Sequence, residues 1–199
     1  MSEQASGGRF PLLAPQLLSE AQRTLHDTIT GPPRADGPFL IVDDGGHLAG
    51  PFNALLYSPA IGQAVQALGA SLRFGGMLSD RTRELLICAI AADTDADYEW
   101  YAHSRVAATV GIQPAELESL RRGTMPVGLS GAEQAALELA RAILHDPTVD
   151  ADVHDEAFRH YGHAGVTELA VLVGYYRMLA GLLAAGDIPV PSSLFSVDG

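Results

Sequence analysis

Apolar positions recur at helical spacing along most of the chain, with turn-forming residues where the pattern breaks. In residues 15–30, Leu17, Leu18, Ala21, Leu25 and Ile29 predict one helix between Pro15 and the breaker Gly31-Pro32-Pro33. Residues 38–50 hold a short β-branched run followed by Asp43-Asp44-Gly45-Gly46, which reads as an ordered loop rather than a tight hairpin. From Ser58 the pattern is helical almost without interruption. Ser58-Pro59 supplies a cap and a first-turn proline for a helix to Phe74, which Gly75-Gly76 ends. Ser79 or Asp80 caps a helix over 80–93, with Leu85, Leu86, Ala89 and Ile90 as its apolar stripe and Glu84 at the border. A helix over 96–110 ends at Gly111, and another runs from Pro114 to Gly123. Ser130-Gly131-Ala132-Glu133 has the spacing of a capping box and opens a helix to about His145. A short helix near 152–161 and a long one near 165–185 complete an all-α set.

The chain of 199 residues suits one domain with a substantial core. The most apolar stretch, 169–186, keeps a helical period and contains Arg177, so it reads as a core helix rather than a membrane span. Residues 1–10 and 187–199 are rich in Ser, Gly and Pro and are expected to be loose or to pack against a partner.

Composition removes several kinds of chemistry. Twelve Lys+Arg against 24 Asp+Glu give a formal charge of -12, so phosphate backbones have no electrostatic reason to bind and nucleic acid is excluded as a partner. Every basic residue among the twelve is arginine, which removes Schiff-base mechanisms and the lysine of a phosphate loop. Cys88 is the single cysteine, so neither an internal disulfide nor a dithiol cycle within the chain can form. With no signal-like segment at Met1–Phe10, a cytoplasmic location is expected.

Candidate chemistry lies on the two helices after Ser79. Ala96, Glu99 and His103 share one helix face, and Glu99 lies one turn before His103, where a carboxylate can orient an imidazole for general acid or base work. Antiparallel packing through a short connection at Asp93–Asp95 would bring Glu84 toward the same imidazole. The competing reading is that these are ion pairs on solvated faces, worth a few tenths of a kcal/mol each. Trp100 and Tyr101 either wall a pocket or belong to ordinary core, and Tyr175 and Tyr176 share that ambiguity, with a phenol donor to an oxyanion as the sharper role. His154, His160 and His163 with Glu156 match no zinc signature, so no metal site is expected.

The segments Arg81-Thr82-Arg83-Glu84-Leu85-Leu86, Tyr98-Glu99-Trp100-Tyr101-Ala102-His103, Gly111-Ile112-Gln113-Pro114-Ala115-Glu116-Leu117 and Glu168 to Tyr176 together resemble the carboxymuconolactone decarboxylase-like proteins, which include the alkylhydroperoxidase D group. The resemblance covers roughly Pro51 to Pro191. It implies a single-domain helical bundle over 51–191, with 1–50 as an N-terminal helix and loop extension and 192–199 as a tail. In the hydroperoxide-reducing branch a Cys-x-x-Cys pair precedes the motif histidine. Placed on this chain, that histidine falls on His103, the family glutamate on Glu84, and the two cysteine positions on Ala96 and Glu99.

The departure removes both redox sulfurs and leaves an acid–base set. The resemblance then implies a cofactor-free lyase, a decarboxylase or isomerase, acting by proton transfer on a small carboxylated lactone-like or keto acid substrate. In that reading His103 is acid or base, Glu84 or Glu99 orients it, and Trp100, Tyr101 and Tyr176 bind substrate. It also implies a homo-oligomer, trimer or hexamer. Two alternatives stand beside it: a hydroperoxide-reducing antioxidant using Cys88 with an external thiol, and a non-catalytic ligand-binding member of the fold.

Overall fold

A computed structural model describes residues 3–32 and 37–193. They fall into two compact units, one of Met1–Leu68 with Gly181–Gly199 and the other of Gly69–Ala180.

In the first unit, Ser19 opens α1 (Glu20–Thr30) with a capping box to Gln22, and Leu25 and Ile29 are its buried face. The sequence predicts a helix from Pro15. Instead Pro15–Leu17 form a 3-10 turn, Leu18 is extended, and the regular helix waits for the serine cap. Pro33, in the breaker beyond α1, lies outside the described residues. Residues 38–50 are a loop closed by one antiparallel bridge, Val42 to Leu48, with the Asp43 amide donating to the His47 carbonyl at 3.0 Å.

Next comes α2 (Pro51–Leu56), which the apolar pattern left unmarked because it is a turn and a half long and buried on nearly every side. Its Asn53 is completely buried, receives the Leu13 amide at 3.0 Å and donates to the carbonyls of Phe10 and Pro11. Those bonds satisfy a buried amide that would otherwise cost about 1–3 kcal/mol, and they hold the N-terminal segment in place. The termini meet in a two-residue antiparallel pair, β1 (Glu3–Gln4) with β2 (Ser192–Ser193). Residues 194–199 of the expected tail lie outside the described residues.

The second unit is built around α4 (Asp80–Asp93), against which α5 (Asp97–Thr109), α6 (Pro114–Arg121) and α7 (Gly131–His145) pack. Ser79 caps α4 by accepting from the Thr82 amide. Every residue from Thr82 to Cys88 is buried, so this helix is enclosed all round rather than amphipathic, and Arg83 and Glu84 go into the interior with it. Arg81 ties the helices together. Its guanidinium donates to Glu116 at 2.5 Å, to Glu133 at 2.7 Å and to the Gly111 carbonyl at 2.8 Å. Hydrogen bonding to Glu116 raises the arginine further, and both carboxyls are held below the usual glutamate range.

The remaining helices are α3 (Pro59–Phe74) and α8 (Ala151–Gly186). Gly162 interrupts α8 with φ 61° and ψ -173°, a backbone open essentially to glycine alone. This is the break expected between a short and a long helix. By length and composition α8 could cross a membrane, but half of its most apolar window is buried inside the protein, including Leu169, Leu172 and Val173. Glu168 on α8 accepts the Met77 amide at 2.7 Å and the Leu78 amide at 3.3 Å, fixing the approach to α4. A Cβ on Gly76 would collide with that carboxylate.

Candidate functional site

The site is set by the turn between α4 and α5. The amide of Ala96 donates to the Ala91 carbonyl at 2.9 Å and that of Thr94 to Ile90 at 3.0 Å, while Asp95 takes φ 50°. An aspartate tolerates that left-handed position, and the chain reverses within a few residues. At about 1.5 Å of rise per residue, Glu84, nine residues before the end of α4, and His103, six after the start of α5, stand within one helical turn of each other in height.

They meet in the interior. His103 Nδ1 lies 2.7 Å from Glu84 Oε2, with the histidine 4% exposed and the glutamate 0%. A carboxylate only accepts, so Nδ1 carries the proton and donates it, which leaves Nε2 as the nitrogen available for exchange. That nitrogen faces Glu99 Oε2 at 3.5 Å, one turn earlier on α5. Burial pushes the Glu99 carboxyl up, opposed by His103 and Arg73 and assisted by Glu84.

Tyr176 presents its ring edge-on to the imidazole, with centroids 5.1 Å apart and planes at 87°. Burial, then Glu84 and Glu99, hold its phenol well above the ordinary range, so it remains an O–H donor. Arg83 donates to Asp80 at 2.7 Å, and its Nε stands 3.7 Å from Glu84 Oε1. Neither of those two atoms has a hydrogen-bond partner, and the same is true of the buried Nε of Arg73. Unpaired buried polar atoms are costly in a fold, so those of Arg83 and Glu84 beside the imidazole mark a site kept for something other than stability.

The profile of the carboxymuconolactone decarboxylase family matches residues 59–142, which carry Glu84, Glu99 and His103. Residues 59–142 are thus similar to the carboxymuconolactone decarboxylase family. Among solved structures, an alkylhydroperoxidase AhpD core from Ralstonia eutropha JMP134, an uncharacterized peroxidase-related protein, is similar at TM-score 0.74 and 15% identity, covering 96% of this chain and 95% of that one. A peroxidase-related protein from Silicibacter sp. TM1040 aligns at TM-score 0.71 and 14% identity over 97% and 96% of the two chains. The debrominase Bmp8, solved as a cysteine-to-alanine variant in complex with 2,3,4-tribromopyrrole, aligns at TM-score 0.61 and 19% identity over 89% and 86%. At these identities the likeness is one of fold. No curated protein sequence matches the chain.

The structure brings together Glu84, Glu99, His103 and Tyr176. Trp100 lies under the Arg121 guanidinium, 4.8 Å from its ring centre, and Arg121 pairs with Asp97 at 2.9 Å. Tyr101 packs on Tyr98 at 5.8 Å and under Arg105 at 3.9 Å. Tyr101, two residues from both Glu99 and His103, therefore stands on another face of α5. Cys88 is completely buried, and burial with Glu84 nearby drives its thiol far above the ordinary range. It does not meet the needs of a peroxidatic thiolate, which must ionise and reach solvent.

Arg73 carries no motif in the sequence. It sits in the last turn of α3, where a cation reads simply as complementing the helix dipole. His154 and His160 pair with Asp155 at 3.0 Å and Glu156 at 3.2 Å, as solvated neighbours. Among the described residues no group of three or more His, Cys, Asp or Glu side chains is placed to hold a metal ion.

Proposed function

We propose that this protein is a lyase or isomerase that uses no organic cofactor and moves a proton at a carbon beside a carbonyl group, in a small carboxylated lactone-like or keto acid. One observation carries the reading: an enclosed imidazole whose Nδ1 is fixed by Glu84 while Nε2 faces a second carboxyl, that of Glu99. A surface ion pair does not need such an arrangement, but a proton-transfer group does.

In decarboxylation, the bond between carbon and carboxylate breaks, carbon dioxide leaves, and the electron pair moves onto the carbonyl oxygen as an enolate. Glu99, whose burial favours the protonated form, gives its proton to the free His103 Nε2, which passes it to the carbon, and solvent reprotonates the carboxylate. The Tyr176 hydroxyl serves as donor to the enolate oxygen. In isomerisation the same nitrogen takes a proton from one carbon and returns it to another. The reading includes a homo-oligomeric, cytoplasmic protein, the first on family resemblance and the second on its single buried cysteine.

The burial of His103 favours a second reading, a ligand-binding member of the fold without turnover. The cavity of about 400 Å³ lined by Gln134, Glu138, Asp152 and Glu156 does not include His103 in its wall. One experiment separates the two. Carboxylated lactones and β-keto acids are offered in heavy water to wild type and His103→Gln, with carbon dioxide release and deuterium incorporation followed. Turnover lost in the variant supports the enzyme, full turnover in the variant removes His103 from the chemistry, and a silent wild type across the panel favours the binding protein.

A further inference from the structure

Arg73 is the group in the cluster that the proton-transfer scheme leaves unused. Its Nε is buried without a hydrogen-bond partner, its guanidinium lies 5.4 Å from the ring centre of Phe74, and it forms no ion pair among the described residues. Four other arginines of this unit are occupied: Arg81 by Glu116 and Glu133, Arg83 by Asp80, Arg121 by Asp97, Arg122 by Glu118. Arg73 is nevertheless close enough to Glu99 and Tyr176 to act on both electrostatically. It is half-buried, whereas Glu84, Glu99, His103 and Tyr176 are buried, so solvent reaches the arginine more readily than the rest of the cluster.

We propose that Arg73 anchors a carboxylate of the ligand, so that the site selects small organic acids over their neutral analogues. The proposal rests on the proton-transfer reading and adds to it the group that recognises the substrate. Three arguments support it. A guanidinium presents a planar fork of donors that matches a carboxylate, and this one has donors to spare. A chain of formal charge -12 repels anions, so an acidic ligand needs a local cation to enter. Finally, an unpaired, partly desolvated cation costs stability, which is the signature of a group retained for binding.

The test uses 4-oxopentanoate and its neutral amide as probes, titrated calorimetrically and through the fluorescence of Trp100, the single tryptophan, on the same helix as Glu99. Wild type is expected to bind the acid at least about tenfold more tightly than the amide, a difference of about 1.4 kcal/mol. Arg73→Gln should abolish that preference and Arg73→Lys should keep part of it. Thermal melts of Arg73→Met should match or exceed wild type, which a structural arginine would not permit. An acid preference that survives in Arg73→Gln, or a wild type that binds acid no better than amide, overturns the proposal. His103→Gln should bind the acid as wild type does while losing turnover, so the anchor and the proton-transfer reading fail by different results.

Discussion

Glu84 and His103, on consecutive helices, are joined by a 2.7 Å hydrogen bond in which neither side chain is more than 5% exposed. The bond decides which imidazole nitrogen is committed to the protein and which is left for chemistry. The α4–α5 reversal creates it, and the burial of Thr82 to Cys88 on α4 keeps water from competing for it.

Nitrogen NMR of labelled protein should therefore show His103 protonated on Nδ1. Glu84→Ala should give a mixture of tautomers and Glu84→Gln should largely preserve the wild-type form, since the amide oxygen still accepts. A wild-type His103 with its proton only on Nε2 would contradict the arrangement.

The pH dependence of stability should carry the mark of Glu99. Burial raises its carboxyl in the folded state above the ordinary value of about 4.5. The folded protein then holds a proton that the unfolded chain has lost, and stability falls as pH rises from about 4.5 through the raised folded value. Glu99→Gln removes that loss. Its melting temperature should exceed that of wild type at pH 7 to 8 by about 2–4 °C for each kcal/mol recovered, and the two should converge toward pH 4.5. A variant less stable than wild type at neutral pH would show that the ionised carboxylate is stabilised where it lies.

Most of the helical frame was legible because caps and breakers are local chemistry. Ser79, Pro114 and Ser130 mark helix boundaries through hydrogen bonds and dihedral limits that involve only nearby residues. The i, i+4 relation of Glu99 and His103 was legible for the same reason. Helix α2 was not, since six residues buried on nearly all sides show no periodicity. Nor was Arg73, whose approach to the Glu99 and Tyr176 cluster depends on tertiary packing that no spacing rule encodes. The placement of Trp100 and Tyr101 against Arg121, Tyr98 and Arg105 was hidden similarly, because an aromatic residue near a motif says nothing of which neighbour covers its ring.

Arg81→Met should test the clamp on the helices around α4. Removing the guanidinium leaves Glu116 and Glu133, 12% and 13% exposed, without their cation, at an expected cost of about 1–3 kcal/mol in chemical denaturation. Both carboxyls lie below the ordinary value of about 4.5 in the folded protein, so their contribution is present above that value and lost as pH falls through the folded values. The variant should therefore lose less stability than wild type on acidification below pH 4.5. Equal acid sensitivity in both proteins would mean that the clamp contributes little.

Cys88 offers a last test, because the peroxide-reducing alternative depends on it alone. A thiol reacts as thiolate, and here the thiolate would form in apolar surroundings beside Glu84, so both desolvation and like charge oppose it. Native protein should leave a thiol reagent unconsumed over hours and should react with one equivalent only after denaturation. Cys88→Ser should lose stability by about 1–3 kcal/mol, since it buries a hydroxyl where a small apolar atom sat. Cys88→Ala should keep the proton-transfer activity of wild type, because the sulfur has no part in the bond between Glu84 and His103. Rapid labelling of the native thiol, together with peroxide consumption that disappears in Cys88→Ala, would instead make this residue the nucleophile and reduce the His103 cluster to its activator.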